Sequence, residues 1–244
     1  MSRTFSSDLC QLTQSFGKGA AHLLDVMNNV IFQIEKIPEN FTEARYLPVL
    51  NREEIFRYKS FSNVLRKRQF LFSRFILKNK LFEVTSKNAD EIHFELGPHG
   101  KPFIPGKRIQ FNLSHSENYV GYVISKKEVG LDLQVQREFS NLNGMIKKVC
   151  HPNEIEFITK SAHPESEFLK IWNLKEAYSK CRGLGIQIKF SKLDFSKITQ
   201  RNFESENSPT VSIEGRDFEV LFKVLERTSI IYVSVFKELG PSAA

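Results

Sequence analysis

Between Val129 and Val135 the chain reads Val-Gly-Leu-Asp-Leu-Gln-Val. Alternation along a strand would bury Val129, Leu131, Leu133 and Val135 on one face and turn Asp132 and Gln134 together to the other. A carboxylate beside an amide oxygen suits a hard cation such as Mg2+, which takes oxygen ligands. The same pair is also the ordinary polar face of a half-exposed strand. Trp172, Glu176 and Lys180 recur at every fourth position and so form one stripe of a helix. Glu176 with Lys180 is the composition of a common solvated ion pair, yet the stripe carries the chain's single Trp, which a fully exposed face seldom does. Asn112-Leu113-Ser114-His115-Ser116 closes a predicted strand and enters a turn. A hydroxyl, an imidazole and free backbone N–H groups at a strand end can hold a phosphate. A Ser-His nucleophile pair is disfavoured there, because neighbours in sequence rarely face each other. Gly100-Lys101-Pro102 is a turn that offers a fixed cation, a frequent composition with little meaning by itself.

Elements to position these groups are legible in the pattern. Residues 29–37 alternate as a strand that Pro38 ends. Asn51, with Glu53 and Glu54 behind it, marks a helix start. Phe61, Val64, Leu65, Leu71, Phe72, Phe75 and Ile76 stand at helical spacing and predict an amphipathic helix over 61–82. Residues 109–113 read as a strand, and 119–124 with 129–135 as a hairpin turning at Lys126-Lys127. Pro152 and Pro164 open helices, the second running to Arg182, where Gly183 and Gly185 stop it. Residues 187–190, 210–213, 218–224 and 230–236 read as strands. Residues 1–24 are a Ser- and Gln-rich lead-in with weak periodicity. The letters show no repeat, but the order of elements allows two similar α+β halves.

The 244 residues suffice for one large domain or two small ones, and 41% hydrophobic with 26% charged residues is a globular balance that excludes collagen-like and disordered classes. No apolar run approaches the roughly 18 residues of a membrane span, and no apolar stretch follows Arg3 as a secretory signal would require. Cys10, Cys150 and Cys181 lack C-x-x-C spacing, which fits a reduced, cytoplasmic protein without structural zinc. The net charge of +7 is uneven: between Arg57 and Lys80 stand eight basic residues and no acidic one. Without that segment the remainder is at −1. One basic element on a near-neutral body suggests a local anionic partner, or else a solvated helix face.

Gly100-Lys101-Pro102, Phe111-Asn112-Leu113-Ser114-His115-Ser116, Val129-Gly130-Leu131-Asp132, and Trp172-Asn173-Leu174-Lys175-Glu176-Ala177-Tyr178-Ser179-Lys180 with Gly183 and Gly185 resemble the ordered motifs of the Sfp-type 4′-phosphopantetheinyl transferases. The basic helix resembles that family's N-terminal Arg-rich helix, and the resemblance covers residues 29–236. It implies an α+β fold of two similar α/β halves related by pseudo-twofold symmetry, with the active site between them. A lead-in would span 1–28, the N-terminal half 29–125 and the C-terminal half 126–244. The implied enzyme, of holo-acyl-carrier-protein synthase type, moves the phosphopantetheine group of coenzyme A to a serine of an apo carrier protein with an acidic surface and releases 3′,5′-adenosine bisphosphate. It would be a Mg2+-dependent cytoplasmic monomer with no nucleic-acid or membrane partner.

Carried onto this chain, the resemblance gives Asp132 and Glu176 to Mg2+ and sets Lys180 against the pyrophosphate. Glu176, or a metal-bound water, would take the serine proton. Lys101 and His115 would hold coenzyme A phosphates, with Pro102 also in the cofactor-binding set and Ser114 beside the nucleotide. Arg68 and Arg74 are the candidates for the 3′-phosphate, and Lys175 for a further phosphate contact. Many family members carry a Glu at the position of Gln134, so here an amide or a water would complete the metal shell. Two other readings remain open at this stage: a nucleic-acid-binding protein using the basic helix, and an inactive relative that only binds carriers. The first calls for aromatics on exposed strand faces, and the second for loss of Asp132, Glu176 or Lys180.

Overall fold

Strand alternation, broken by two helical layers, accounts for most of the architecture. The computed structural model describes residues 27, 29–85, 91–106, 108–199, 209–226 and 228–240; apart from Met27, the predicted lead-in lies outside them, as does Cys10. The first sheet has the order β1-β5-β4, all antiparallel, from β1 (Val30–Lys36), β4 (Gln110–Ser116) and β5 (Tyr119–Ser125). Between β1 and β4 stand β2 (Glu95–Leu96) and β3 (Pro102–Phe103), a small hairpin turned at Gly100, whose φ of +82° is a left-handed conformation suited to glycine. The second sheet has the order β6-β9-β8-β7, from β6 (Val129–Val135), β7 (Thr210–Ile213), β8 (Arg216–Glu226) and β9 (Ile230–Glu238).

Two predictions are corrected here. β5 and β6 do not pair as a hairpin, because both edges of β5 are already taken by β1 and β4. Residues 187–190 are not a strand but lie across two 3-10 turns, Gly185–Gln187 and Phe190–Lys192. Their backbone bends around a buried ammonium: Lys175 Nζ donates to the carbonyl oxygens of Phe190 (2.8 Å) and Leu193 (2.9 Å).

The helices follow their caps. After the short α1 (Glu43–Tyr46), α2 (Arg52–Ser60) opens on a capping box between Asn51 and Glu54. Phe61 ends α2, and Asn63 accepts from Arg66 N–H to start α3 (Val64–Thr85). α3 is not amphipathic in its middle, where every residue from Gln69 to Lys78 is buried. Here Lys78 Nζ donates to Glu54 Oε2 (2.6 Å) and Val49 O (2.9 Å). In the second half come α4 (Leu142–Val149), α5 (Pro152–Thr159), α6 (Pro164–Arg182) and the short α7 (Ser196–Thr199). α5 opens on a capping box between His151 and Glu154, and Lys175 Nζ donates to Glu154 Oε2 (2.5 Å) and Val149 O (3.1 Å). The same lysine–glutamate–carbonyl knot thus ties α3 to α2 and α6 to α5.

One core lies between α3 and the first sheet, a second between the two sheets around Phe32, Val123, Leu133 and Val233, and a third between α6 and the second sheet around Tyr178 and Phe236. The sheets meet edge to edge without a backbone ladder. Asn112 Oδ1 accepts from Leu131 N–H (3.1 Å), Ser114 Oγ from Leu133 N–H (3.1 Å) and Ser116 Oγ from Val135 N–H (2.9 Å). Alternate side chains of β4 therefore take the place of carbonyls along β6. Among the described residues no helix is long and apolar enough to cross a membrane.

Lys175 has no exposed surface and four acceptors, so it fastens the fold and faces no phosphate. Lys175→Met is expected to leave the Glu154 carboxylate buried without its cation, destabilising the protein by about 3–5 kcal/mol in urea unfolding. Adding Glu154→Gln should recover part of that loss. Unchanged stability in the single variant would refute the structural role.

Candidate active site

A Cβ on Gly130 would lie 2.2 Å from Ala177 O and from Cys181 N, so α6 rests directly on the backbone of β6. That approach sets Glu176 and Lys180 beside Asp132. The C-terminus of α6 is secured by Lys101, whose Nζ donates to Cys181 O (2.9 Å), Val129 O (3.2 Å) and Glu128 Oε2 (2.7 Å). Three acceptors use all three ammonium protons. Lys101, predicted as a phosphate contact, is instead a C-terminal cation on the helix dipole. Gly183, at φ +62°, closes the helix as the sequence predicts.

Asp132 is 2% exposed and is met by donors on both oxygens. Oδ1 takes the Lys180 ammonium (2.5 Å) and the Ser114 hydroxyl (3.0 Å); Oδ2 takes the amide hydrogens of Gln134 (2.9 Å) and Asn173 (3.0 Å). Lys180 also donates to Ser114 Oγ (3.0 Å). The alternation predicted for β6 holds, since Val129, Leu131, Leu133 and Val135 all enter the inter-sheet core. Gln134 shares the Asp132 face, but turns its NH2 rather than its oxygen toward the carboxylate. Ser114 is spent on the seam and on Asp132.

Glu176 has no hydrogen bond or ion pair among the described residues. Burial raises its pKa, the neighbouring Asp132 charge raises it further, and Lys180 acts in the opposite sense. Among the described residues no third His, Cys, Asp or Glu joins the two carboxylates.

On the other face of β4, His115 lines a cleft of about 180 Å3 together with Arg57, Phe61, Arg66, Arg74 and Pro102. Arg66 Nη1 lies against the His115 ring at Nε2. Burial pulls the His115 pKa down to about 4, and the charges of Arg66 and Lys180 pull the same way, so the ring is neutral at pH 7. Arg74 sits 5.0 Å from the rings of both Phe70 and Phe94, with Nε 2.9 Å from Glu54 Oε1 but out of hydrogen-bonding alignment. Of the two arginines predicted for the 3′-phosphate, Arg74 faces this cleft and Arg68 does not: Arg68 donates to Pro38 O (3.0 Å) and lies over Phe41. At about 100° per residue, Arg66 and Arg74 fall within about 80° of one another, while Arg68 is about 200° from Arg66. Spacing from Arg74 disfavours Arg68 but does not separate Arg66 from Lys67; it is the contact with His115 that brings Arg66 to the cleft. Asn173 and Ser234, whose hydroxyl donates to Asn173 Oδ1, were visible in the letters but not as a pair. Their meeting depends on the β6–β9 register, which sets Ser234 opposite Asp132.

Gly130→Ala is expected to push α6 off β6 and lower stability by at least the ~1–3 kcal/mol typical of overpacking. Thermal unfolding reads this directly, and an unchanged melting temperature would mean that the helix is not seated on Gly130.

Residues 128–230 match the model of the 4'-phosphopantetheinyl transferase superfamily, a span that holds Asp132, Glu176 and Lys180. The chain is 29% identical over 187 residues to the L-aminoadipate-semialdehyde dehydrogenase-phosphopantetheinyl transferase of Saccharomyces cerevisiae, covering 70% of this chain and 66% of that protein. It is 28% identical over 144 residues to 4'-phosphopantetheinyl transferase HetI of Nostoc sp., covering 56% and 61%, and 28% identical over 142 residues to 4'-phosphopantetheinyl transferase gsp of Aneurinibacillus migulanus, covering 57% and 58%. The chain therefore spans less than two thirds of the length of these curated relatives. Motifs, superfamily model and relatives agree, and the resemblance is borne out: the chain is similar to the 4′-phosphopantetheinyl transferases.

Proposed function

We propose that this chain transfers the 4′-phosphopantetheine group of coenzyme A to a serine of an apo carrier protein and releases 3′,5′-adenosine bisphosphate. The observation that carries this reading is the convergence of Asp132, Glu176 and Lys180 beside a cleft lined by Arg57, Arg66, Arg74 and His115. Pyrophosphate oxygens repel a nucleophile, so catalysis of such a transfer rests on positioning and charge neutralisation. Lys180 supplies a half-exposed cation for the pyrophosphate, and the arginines supply the cleft with charge for the remaining phosphate. A neutral His115 offers one N–H to a phosphate oxygen without requiring a protonation step. Pro102 and Phe61 give the cleft an apolar wall.

The donor set fits Mg2+, which is usually held by one or two carboxylates plus substrate phosphates. Asp132 and Glu176 would hold it, with the Gln134 amide or a water as a further ligand; two carboxylates close enough to raise the Glu176 pKa have use for a cation between them. When bound, Mg2+ would stabilise the negative charge on the transferring phosphoryl group. Glu176 serves as base. The serine oxygen bonds to the phosphorus that bears the pantetheine arm, the bond from that phosphorus to the adenosine bisphosphate oxygen breaks, and the serine proton passes to Glu176. A carboxylate with no hydrogen bond or ion pair among the described residues and a raised pKa suits that task.

The two halves, 29–125 and 126–244, are read as pseudo-twofold relatives with the site on the seam between them. Support comes from the matched knots Lys78–Glu54–Val49 and Lys175–Glu154–Val149, and from strand orders β1-β5-β4 and β6-β9-β8, each running first, last, penultimate. A soluble cytoplasmic monomer acting on an acidic carrier fits this reading. The nucleic-acid alternative loses ground because Arg68 and Lys78 of the basic segment are engaged inside the protein.

With coenzyme A, Mg2+ and an apo carrier protein, the expected product is a carrier heavier by one phosphopantetheine arm. Asp132→Ala and Glu176→Ala should each slow its formation by about 10²–10³-fold, the usual loss on removing one stabilising group, with the fold intact by circular dichroism. Near wild-type rates would remove the site assignment. Arg66→Gln should raise the KM for coenzyme A while Arg68→Gln leaves it unchanged; the reverse order would place the phosphate elsewhere on α3.

A further inference from the structure

We propose that Asn173, oriented by Ser234, is a positioning residue that fixes the rotation of the Asp132 carboxylate. The inference rests on the reading of Asp132 as a ligand for a divalent cation. Of the four donors on Asp132, Asn173 has no exposed surface, and its partner Ser234 has none either. Gln134 and Lys180 reach solvent, so their bonds exchange readily with water or with a ligand. The Asn173 bond to Oδ2 cannot exchange in that way, and it holds Oδ2 inward while Oδ1 stays on the side of Ser114 and Lys180.

An asparagine amide has two ends of nearly equal shape, one donating and one accepting. Turned the other way, Asn173 would set its carbonyl against the carboxylate. Ser234 selects the productive orientation by donating its hydroxyl to Asn173 Oδ1. Ser234 is opposite Asp132 in the β6–β9 register, so one strand pairing sets both ends of the relay. Burying a hydroxyl and an amide costs desolvation that an apolar pair would not incur. The neighbours of Asn173 on the core side of α6, Leu169, Leu174 and Ala177, are apolar, and among the described residues the amide serves Asp132 and Ser234 alone.

Thr and Val have the same shape and differ at position 234 by the hydroxyl alone, so Ser234→Thr and Ser234→Val share any steric penalty. Mn2+ binding followed by electron paramagnetic resonance, on the full chain without substrates, is the readout that a merely structural role would not split. The Val variant is expected to bind Mn2+ at least about 10-fold more weakly than the Thr variant, in line with losses seen when a ligand's supporting partner is removed. In the transfer assay kcat should fall in Val relative to Thr with the KM for coenzyme A unchanged. Equal Mn2+ affinities for the two variants overturn the relay. Should the added methyl unfold both, Asn173→Leu, apolar and of similar volume, takes their place; folded by circular dichroism, it should bind Mn2+ at least about 10-fold more weakly than wild type, and wild-type affinity overturns the relay. A wild-type protein that binds no Mn2+ also overturns it. A wild-type protein that binds Mn2+ but modifies no apo carrier overturns the transferase reading instead, and leaves the comparison of variants standing.

Discussion

The seating of α6 on Gly130 sets the distance from which the polar contacts around Asp132 are built. Helix and strand backbones approach this closely only where the strand lacks a Cβ, and the approach carries Asn173, Glu176 and Lys180 to the polar face of β6. A larger separation would leave the Asp132 carboxylate buried without its ammonium, an arrangement that proteins avoid because an unpaired buried charge is costly. Lys101 secures the same contact directly by holding both Val129 and Cys181. Local geometry and electrostatics are therefore one constraint: the helix must be close for the charges to be tolerated.

The seam between β4 and β6 works by a related economy of means. Side chains of Asn112, Ser114 and Ser116 accept the N–H groups of β6 that an adjacent strand would otherwise satisfy. Two sheets can then abut without merging, which leaves β4 free to show His115 to the cleft on its other face while Ser114 supports Asp132. The residue that faces the cleft, His115, and the one that supports Asp132, Ser114, are consecutive in one strand.

Much of this was legible in the letters, and what was not has physical causes. Period-2 alternation put Asp132 and Gln134 on one face, and four-residue spacing put Trp172, Glu176 and Lys180 on one stripe, because those relations are local. The lysines are less legible. Lys101 and Lys175 share motif neighbourhoods with the site, yet both are committed to backbone carbonyls and carboxylates that come from distant segments. Sequence alone does not tell a buried ammonium from a solvated one. The hairpin expected of β5 and β6 failed for a similar reason: both strands alternate correctly, but strand partners depend on which edges remain free. The letters do not fix the phase of the basic helix, and two positions turn a side chain to nearly the opposite side, so they do not separate Arg66 from Arg68.

The two lysine knots have a chemical consequence beyond stability. Lys78 and Lys175 each have no exposed surface, so an amine-acylating reagent meets them only when the local structure opens. One reports on the packing of α2 against α3 and the other on that of α5 against α6. Their labelling rates form a pair of internal clocks, able to show whether the two helical layers breathe together or one at a time.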